Sequence, residues 1–134
     1  AGVSAAIKQM RPGVRVVGVE PAGAAKMSAS IEEGHPITLP ATASVADGLL
    51  PVRPGDLTFA HVKAFVDAVV TVEDEAIVQA MRWLFAHARV VVEPSGAVTV
   101  AAALQAAGSA GDEHPVAVLS GGNIAVEDFA KLVS

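Results

Sequence analysis

Three short clusters in this 134-residue chain carry side chains that could do chemistry. They are Glu20-Pro21, Glu93-Pro94-Ser95-Gly96 and Ser120-Gly121-Gly122-Asn123, and each follows a valine-rich run. Glycines let a ligand come close to the backbone. The Ser120 hydroxyl can donate and accept one hydrogen bond at such a point, and Glu20 and Glu93 supply carboxylates that need partners if they are buried. With zero cysteines, thiolate nucleophiles, disulfides and Cys-based zinc or iron–sulfur sites are excluded. His35, His61, His87 and His114 stand far apart and form no ligand spacing. Strand ends also need turn residues for their own sake, and that explains any one cluster taken alone.

The elements that must position these clusters read as alternating helices and strands. Val3, Ala6, Ile7 and Met10 predict a helix over 2–10, stopped by Pro12-Gly13. A strand is expected over 14–19, closed by Glu20-Pro21. Residues 24–33 follow as a helix with Gly34 as its C-terminal cap. The stretch 35–57 holds Pro36, Pro40, Pro51 and Pro54 and is expected to be a long irregular connection, of the length that is often functional. A short helix over about 59–66 and a strand over 68–72 come next.

Thr71-Val72-Glu73-Asp74 has the spacing of a helix start. Ile77, Ala80, Met81, Leu84, Phe85 and Ala88 then mark one apolar helical face. Trp83 lies off that stripe, at a core edge or at a contact with another domain or subunit. A buried strand over 89–92, a helix from Ser95 to about 107, a polar loop over 108–113, a strand over 116–119 and a helix over about 126–133 complete the reading.

This alternation predicts an α/β fold with an open, mostly parallel sheet and helices on both faces. The strands are nearly continuously apolar, as strands covered on both faces are. Ligands of such sheets lie beyond the carboxyl ends of the strands, so the three clusters are expected to converge on one edge.

Hydrophobic residues make up 52% of the chain but aromatics only 4%, which suits tightly packed helix–sheet layers or a surface covered by a further domain. The net charge of −5, with its basic residues scattered singly, argues against a nucleic-acid binder. No run reaches the roughly 18 to 20 apolar residues that cross a bilayer, and no signal peptide is visible. A cytoplasmic location is expected. The length suits a single domain over 1–134, and residue 1 reads as the middle of something longer.

Taken in order, four segments resemble the serine/threonine dehydratases and serine racemases, pyridoxal phosphate (PLP) enzymes of the tryptophan-synthase-β-like fold, or fold type II. They are Gly18-Val19-Glu20-Pro21, Val45-Ala46-Asp47-Gly48-Leu49, Val92-Glu93-Pro94-Ser95-Gly96-Ala97 and Leu119-Ser120-Gly121-Gly122-Asn123. The resemblance spans essentially all 134 residues. It implies a C-terminal portion of a larger enzyme, within that fold's large domain. The phosphate-cradling glycine loop and the lysine that binds the cofactor covalently are then expected outside this sequence. No catalytic residue is expected among Lys8, Lys26, Lys63 and Lys131, and the piece alone is expected to be inactive.

The resemblance further implies that Ser120, with Gly121, meets the pyridine nitrogen of the cofactor, although Ser120 could also cap a helix. It places Glu93 on the pocket wall near the ring, and Asp47-Gly48 toward the substrate side or in an ordinary turn. In metal-activated relatives the positions of Glu20 and of the Ala24 carbonyl bind a divalent cation, with a second carboxylate where this chain has Lys26. An ammonium would repel the ion, so Lys26 is expected to replace it and pair with Glu20. The alternative is two unrelated surface charges.

The implied reaction is α,β-elimination from a 3-hydroxy amino acid, giving a 2-oxo acid and ammonia. Serine racemisation, β-replacement as in cysteine synthases, and a non-catalytic α/β module that binds a nucleotide or protein partner are the alternatives. The implied partners are an amino-acid substrate, the rest of the parent enzyme and, as in many relatives, a second copy in a homodimer.

Overall fold

The computed structural model describes residues 1–107 and 114–134. Two parallel strands, β1 (Val17–Pro21) and β2 (Ala68–Val72), run in register from Val17 opposite Ala68 to Pro21 opposite Val72. Pro21 lacks the N–H a ladder needs, and it is tolerated because it is the last residue of β1. Before β1 comes α1 (Gly2–Met10), which packs on α3 (Asp56–Phe65). Between β1 and α3 a 3-10 turn (Ala22–Ala24) leads into α2 (Lys26–Glu33), two residues later than the periodicity suggests. Gly34 ends α2 at φ 79°, a left-handed conformation that suits glycine, and its amide donates to the Ile31 carbonyl.

The connection is irregular over 35–55 apart from a 3-10 turn at Asp47–Leu49, and it is shorter than expected because α3 already starts at Asp56. It folds back on itself through the Leu39 amide, which donates to the Val52 carbonyl at 2.9 Å. The helix α4 (Asp74–Trp83) starts later than the Thr71 motif implies, because Thr71 belongs to β2. Asp74 instead turns its carboxylate back on the long connection, accepting from the Ser44 hydroxyl and the Val45 amide.

Ile77, Ala80, Met81 and Leu84 are buried on one face of α4, as their spacing predicts. Phe85 and Ala88 are not. The last stretch, Leu84–Ala88, is wound as a π-helix, and the wider turn swings both residues off the stripe. Phe85 instead meets Phe129 edge-on, with ring centroids 5.4 Å apart. Trp83 is exposed and stacks on His87 at 5.0 Å.

Two expected strands are corrected. Residues 89–92 and 116–119 join no ladder among the described residues. Arg89 takes a left-handed φ of 58° that breaks extension, and of the valines only Val92 enters the core. Val116 is 90% exposed. The second segment is held instead by the Thr99 hydroxyl, which donates to the Val118 carbonyl at 2.9 Å.

The helix α5 (Pro94–Ala106) lies against α4 and both strands, and its Gly96, Ala97 and Ala101 permit close approach. The last helix, α6 (Val126–Val133), packs on α4 and lowers Phe129 into the core. The core is thus one cluster running from Val72 through Ile77 and Met81 to Val92 and Val98. The polar loop expected at 108–113 lies outside the described residues.

Candidate functional site

The start of α5 organises the site. Proline at the first helical position is pre-set for helix and has no N–H to leave unpaired, so the chain turns sharply at Glu93-Pro94. The Glu93 amide donates to the Gly121 carbonyl at 3.2 Å, tying the third cluster to the second. The Glu93 carboxylate lies against the bare Cα of Gly121. Gly96 faces the backbone of Gly121 from one helical turn onward.

The Gly48 amide points at the same helix end, donating to Ser95 Oγ at 3.0 Å and to Asp47 Oδ1 at 2.8 Å. Gly48, Glu93 and Gly121 therefore meet around one helix start. Beside them is a concavity of about 240 Å³ lined by Val45, Asp47, Glu93, Asn123, Ala125 and Asp128, among others. Ser120 adjoins Gly121. Its side chain is exposed and has no hydrogen-bond partner among the described residues.

The first cluster is built differently. Glu20 is buried at 6% exposure, and both carboxylate oxygens accept from the N-terminus of α2: the Met27 amide at 3.0 Å and the Ser28 amide at 2.7 Å. The positive end of the helix compensates the buried charge. Lys26, the first residue of α2, sends its ammonium to the Leu49 carbonyl at 2.7 Å. Burial pushes Lys26 below the ordinary lysine range, and the nearby Glu20 charge opposes that shift. The expected direct pairing is thus corrected: the two charges interact through space, and each spends its hydrogen bonds elsewhere.

These residues do not fit a divalent cation. Both Glu20 oxygens are engaged, Ala24 is fully buried, and the nearby charge is an ammonium where a divalent ion would need further oxygen ligands.

Ser95, Asp74 and Asn123 are the contributors the sequence reading missed. Ser95 and Asn123 belong to motifs named above; the fold gives Ser95 the Gly48 amide and puts Asn123 on the wall of the concavity. Asp74 was legible as part of a helix start, but its hold on Ser44 crosses 30 positions and leaves no local signal. The four lysines are engaged away from Ser120: Lys8 with Asp67 and the Val14 carbonyl, Lys26 with Leu49, Lys63 with Gly34, and Lys131 with Asp128.

The family model described as pyridoxal-phosphate dependent enzyme matches residues 1–121. An L-threonine ammonia-lyase of Thermotoga maritima is 41% identical over 133 residues, covering 99% of this chain and 33% of the relative. A serine racemase of Oryza sativa subsp. indica is 45% identical over 103 residues, covering 77% of this chain and 30% of the relative. Among solved structures, the processed form of threonine deaminase isoform 2 from Solanum lycopersicum superposes with a TM-score of 0.90 at 34% identity, over 98% of this chain and 37% of that one. The chain spans about a third of the length of the curated relatives it matches.

Proposed function

Since the chain belongs to the pyridoxal-phosphate dependent enzyme family, we propose that it forms part of a serine/threonine ammonia-lyase acting on a 3-hydroxy amino acid. The observation that carries this reading is the meeting of Gly48, Glu93 and Gly121 at the start of α5, with a free Ser120 hydroxyl beside them.

The donor set fits the cofactor. A pyridine nitrogen needs one hydrogen-bonding group in reach, and Ser120 offers a hydroxyl that nothing else in the described residues claims. When bound, pyridoxal phosphate supplies an electron sink for the carbanion left at the substrate α-carbon.

This chain's residues orient and tune. Ser120 is neutral, so it would hold the ring nitrogen without fixing a proton there, as a carboxylate would. That would suit elimination, in which the α-carbon electron pair goes into the new Cα–Cβ double bond as the β-hydroxyl leaves with the C–O bonding pair. Gly121 keeps the wall thin where Glu93 packs, and Glu93 brings negative charge to the rim. Gly48 holds the Asp47–Leu49 turn on Ser95, and its bare Cα lets the Ser95 side chain come close. Lys8, Lys26, Lys63 and Lys131 all have other partners, so the covalent lysine and α-proton base belong to the remainder of the enzyme.

The full-length protein tests this. It should show a visible cofactor band and release 2-oxo acid and ammonia from L-threonine or L-serine. Absence of both overturns the reading. Similarity to serine racemase favours a second outcome, in which the same proton is removed and returned to the other face. Chiral analysis of recovered serine separates the two.

A further inference from the structure

The Lys26 ammonium joins two parts of the chain. On one side lies the buried Glu20 carboxylate at the end of β1, satisfied by the α2 amides. On the other lies the Leu49 carbonyl, at the end of the turn whose Gly48 amide reaches Ser95. One ammonium that meets a carbonyl and feels a buried carboxylate does what a hard cation with oxygen ligands would do. Here the bridging charge is covalently attached to α2.

We propose that Lys26 is a built-in cation: its ammonium occupies the seat of a divalent ion, neutralises Glu20 and fixes the Asp47–Leu49 turn against the start of α5. The geometry accounts for each hydrogen bond. Glu20 needs no ligand to compensate its burial, because α2 supplies two amides and Lys26 the charge. The Leu49 carbonyl takes the ammonium, and Glu20 offsets part of the lost hydration of Lys26. Lys26 is a positioning residue that acts through the Asp47–Leu49 turn. Its effect on turnover rests on the function proposed above; its effect on the turn does not.

The test uses the full-length protein and two readouts that need no activity. The first is amide hydrogen exchange at residues 47–49. Lys26→Met should speed it by about tenfold, the scale of one hydrogen bond to a charged group. Lys26→Arg, which retains a cationic donor, should restore most of the protection. The second is calorimetric titration of the wild type with calcium or manganese chloride, where no stoichiometric binding is expected and EDTA should leave exchange at 47–49 unchanged. Stoichiometric binding of either ion by the wild type, or wild-type exchange rates in Lys26→Met, overturns the proposal. The titration stands even if Lys26→Met fails to fold. A protein that passes both tests but shows no cofactor band and no ammonia release keeps the built-in cation and loses the proposed enzyme function.

Discussion

The carboxylate of Glu93 occupies the space that a side chain on Gly121 would need: a Cβ built there would stand 1.7 Å from Oε1 and 2.7 Å from Cδ. The intruding atoms are the far end of a flexible side chain, so Gly121→Ala should fold and lose less than about 1 kcal/mol. It should nonetheless expel the Glu93 carboxylate and shift the cofactor band of the full-length protein. An unshifted band, with the variant folded, would show that Glu93 does not line the ring.

Gly96 gives the contrasting case. A Cβ there would meet the Gly121 carbonyl oxygen at 2.5 Å and the Gly121 nitrogen at 2.9 Å, and backbone cannot swing aside. Gly96→Ala should therefore cost about 1–3 kcal/mol, the usual range for overpacking. Urea unfolding of both alanine variants checks the order: Gly96→Ala must be the less stable.

Ser120 stands apart from the packing. Its side chain is exposed and holds no partner among the described residues, so Ser120→Ala should leave stability within about 0.5 kcal/mol of wild type. Under the proposed ammonia-lyase function, turnover of L-threonine should fall by about tenfold, as one lost hydrogen bond implies. Equal kcat in the two proteins would remove Ser120 from the site.

Asp74 anchors the long connection to the N-terminus of α4. Removing its bonds to Ser44 and Val45 with Asp74→Ala should cost about 1–3 kcal/mol and loosen residues 44–46. Asp74→Asn retains an acceptor and should lose less. Thermal melts of the three proteins, together with amide exchange at Val45, test the ranking.

Asp67 sets a dependence on pH. Its carboxylate takes the Lys8 ammonium and the Val16 amide, and these hold it below the ordinary aspartate value of 3.8. Because the folded value is depressed, its contribution is fully present above the unfolded value and disappears as pH falls through the lower folded one. The difference in Tm between wild type and Asp67→Asn should be constant at neutral pH and shrink toward zero in acid. A difference that grows in acid would contradict the assignment.

The residues explain which features were legible in the sequence. Ile77, Ala80, Met81 and Leu84 repeat at helical spacing, and burial followed. Phe85 and Ala88 continue that spacing, but a π-turn depends on backbone hydrogen bonding that side-chain periodicity does not encode. The runs at 89–92 and 116–119 are apolar enough for buried strands, yet a strand also needs a partner edge. Arg89 in a left-handed turn and Val118 held by Thr99 lead both segments elsewhere. The ordered motifs name residues that meet in space, which the expected elements alone do not. Glu93 and Gly121 stand 28 positions apart in numbering and are joined in space by backbone hydrogen bonding, to which small residues contribute only by staying out of the way.

The parallel pairing of Val17 with Ala68 has a kinetic consequence. A parallel ladder cannot close through a hairpin, so β1 must wait for a loop on the order of 50 residues to fold back, at an entropic cost that adjacent helices avoid. The α4 and α5 pair forms its contacts over a far shorter span. The helical pair should therefore assemble early and the strand pair late. During synthesis β1 leaves the ribosome well before its partner, and its unpaired valines are then the segment most exposed to misassociation.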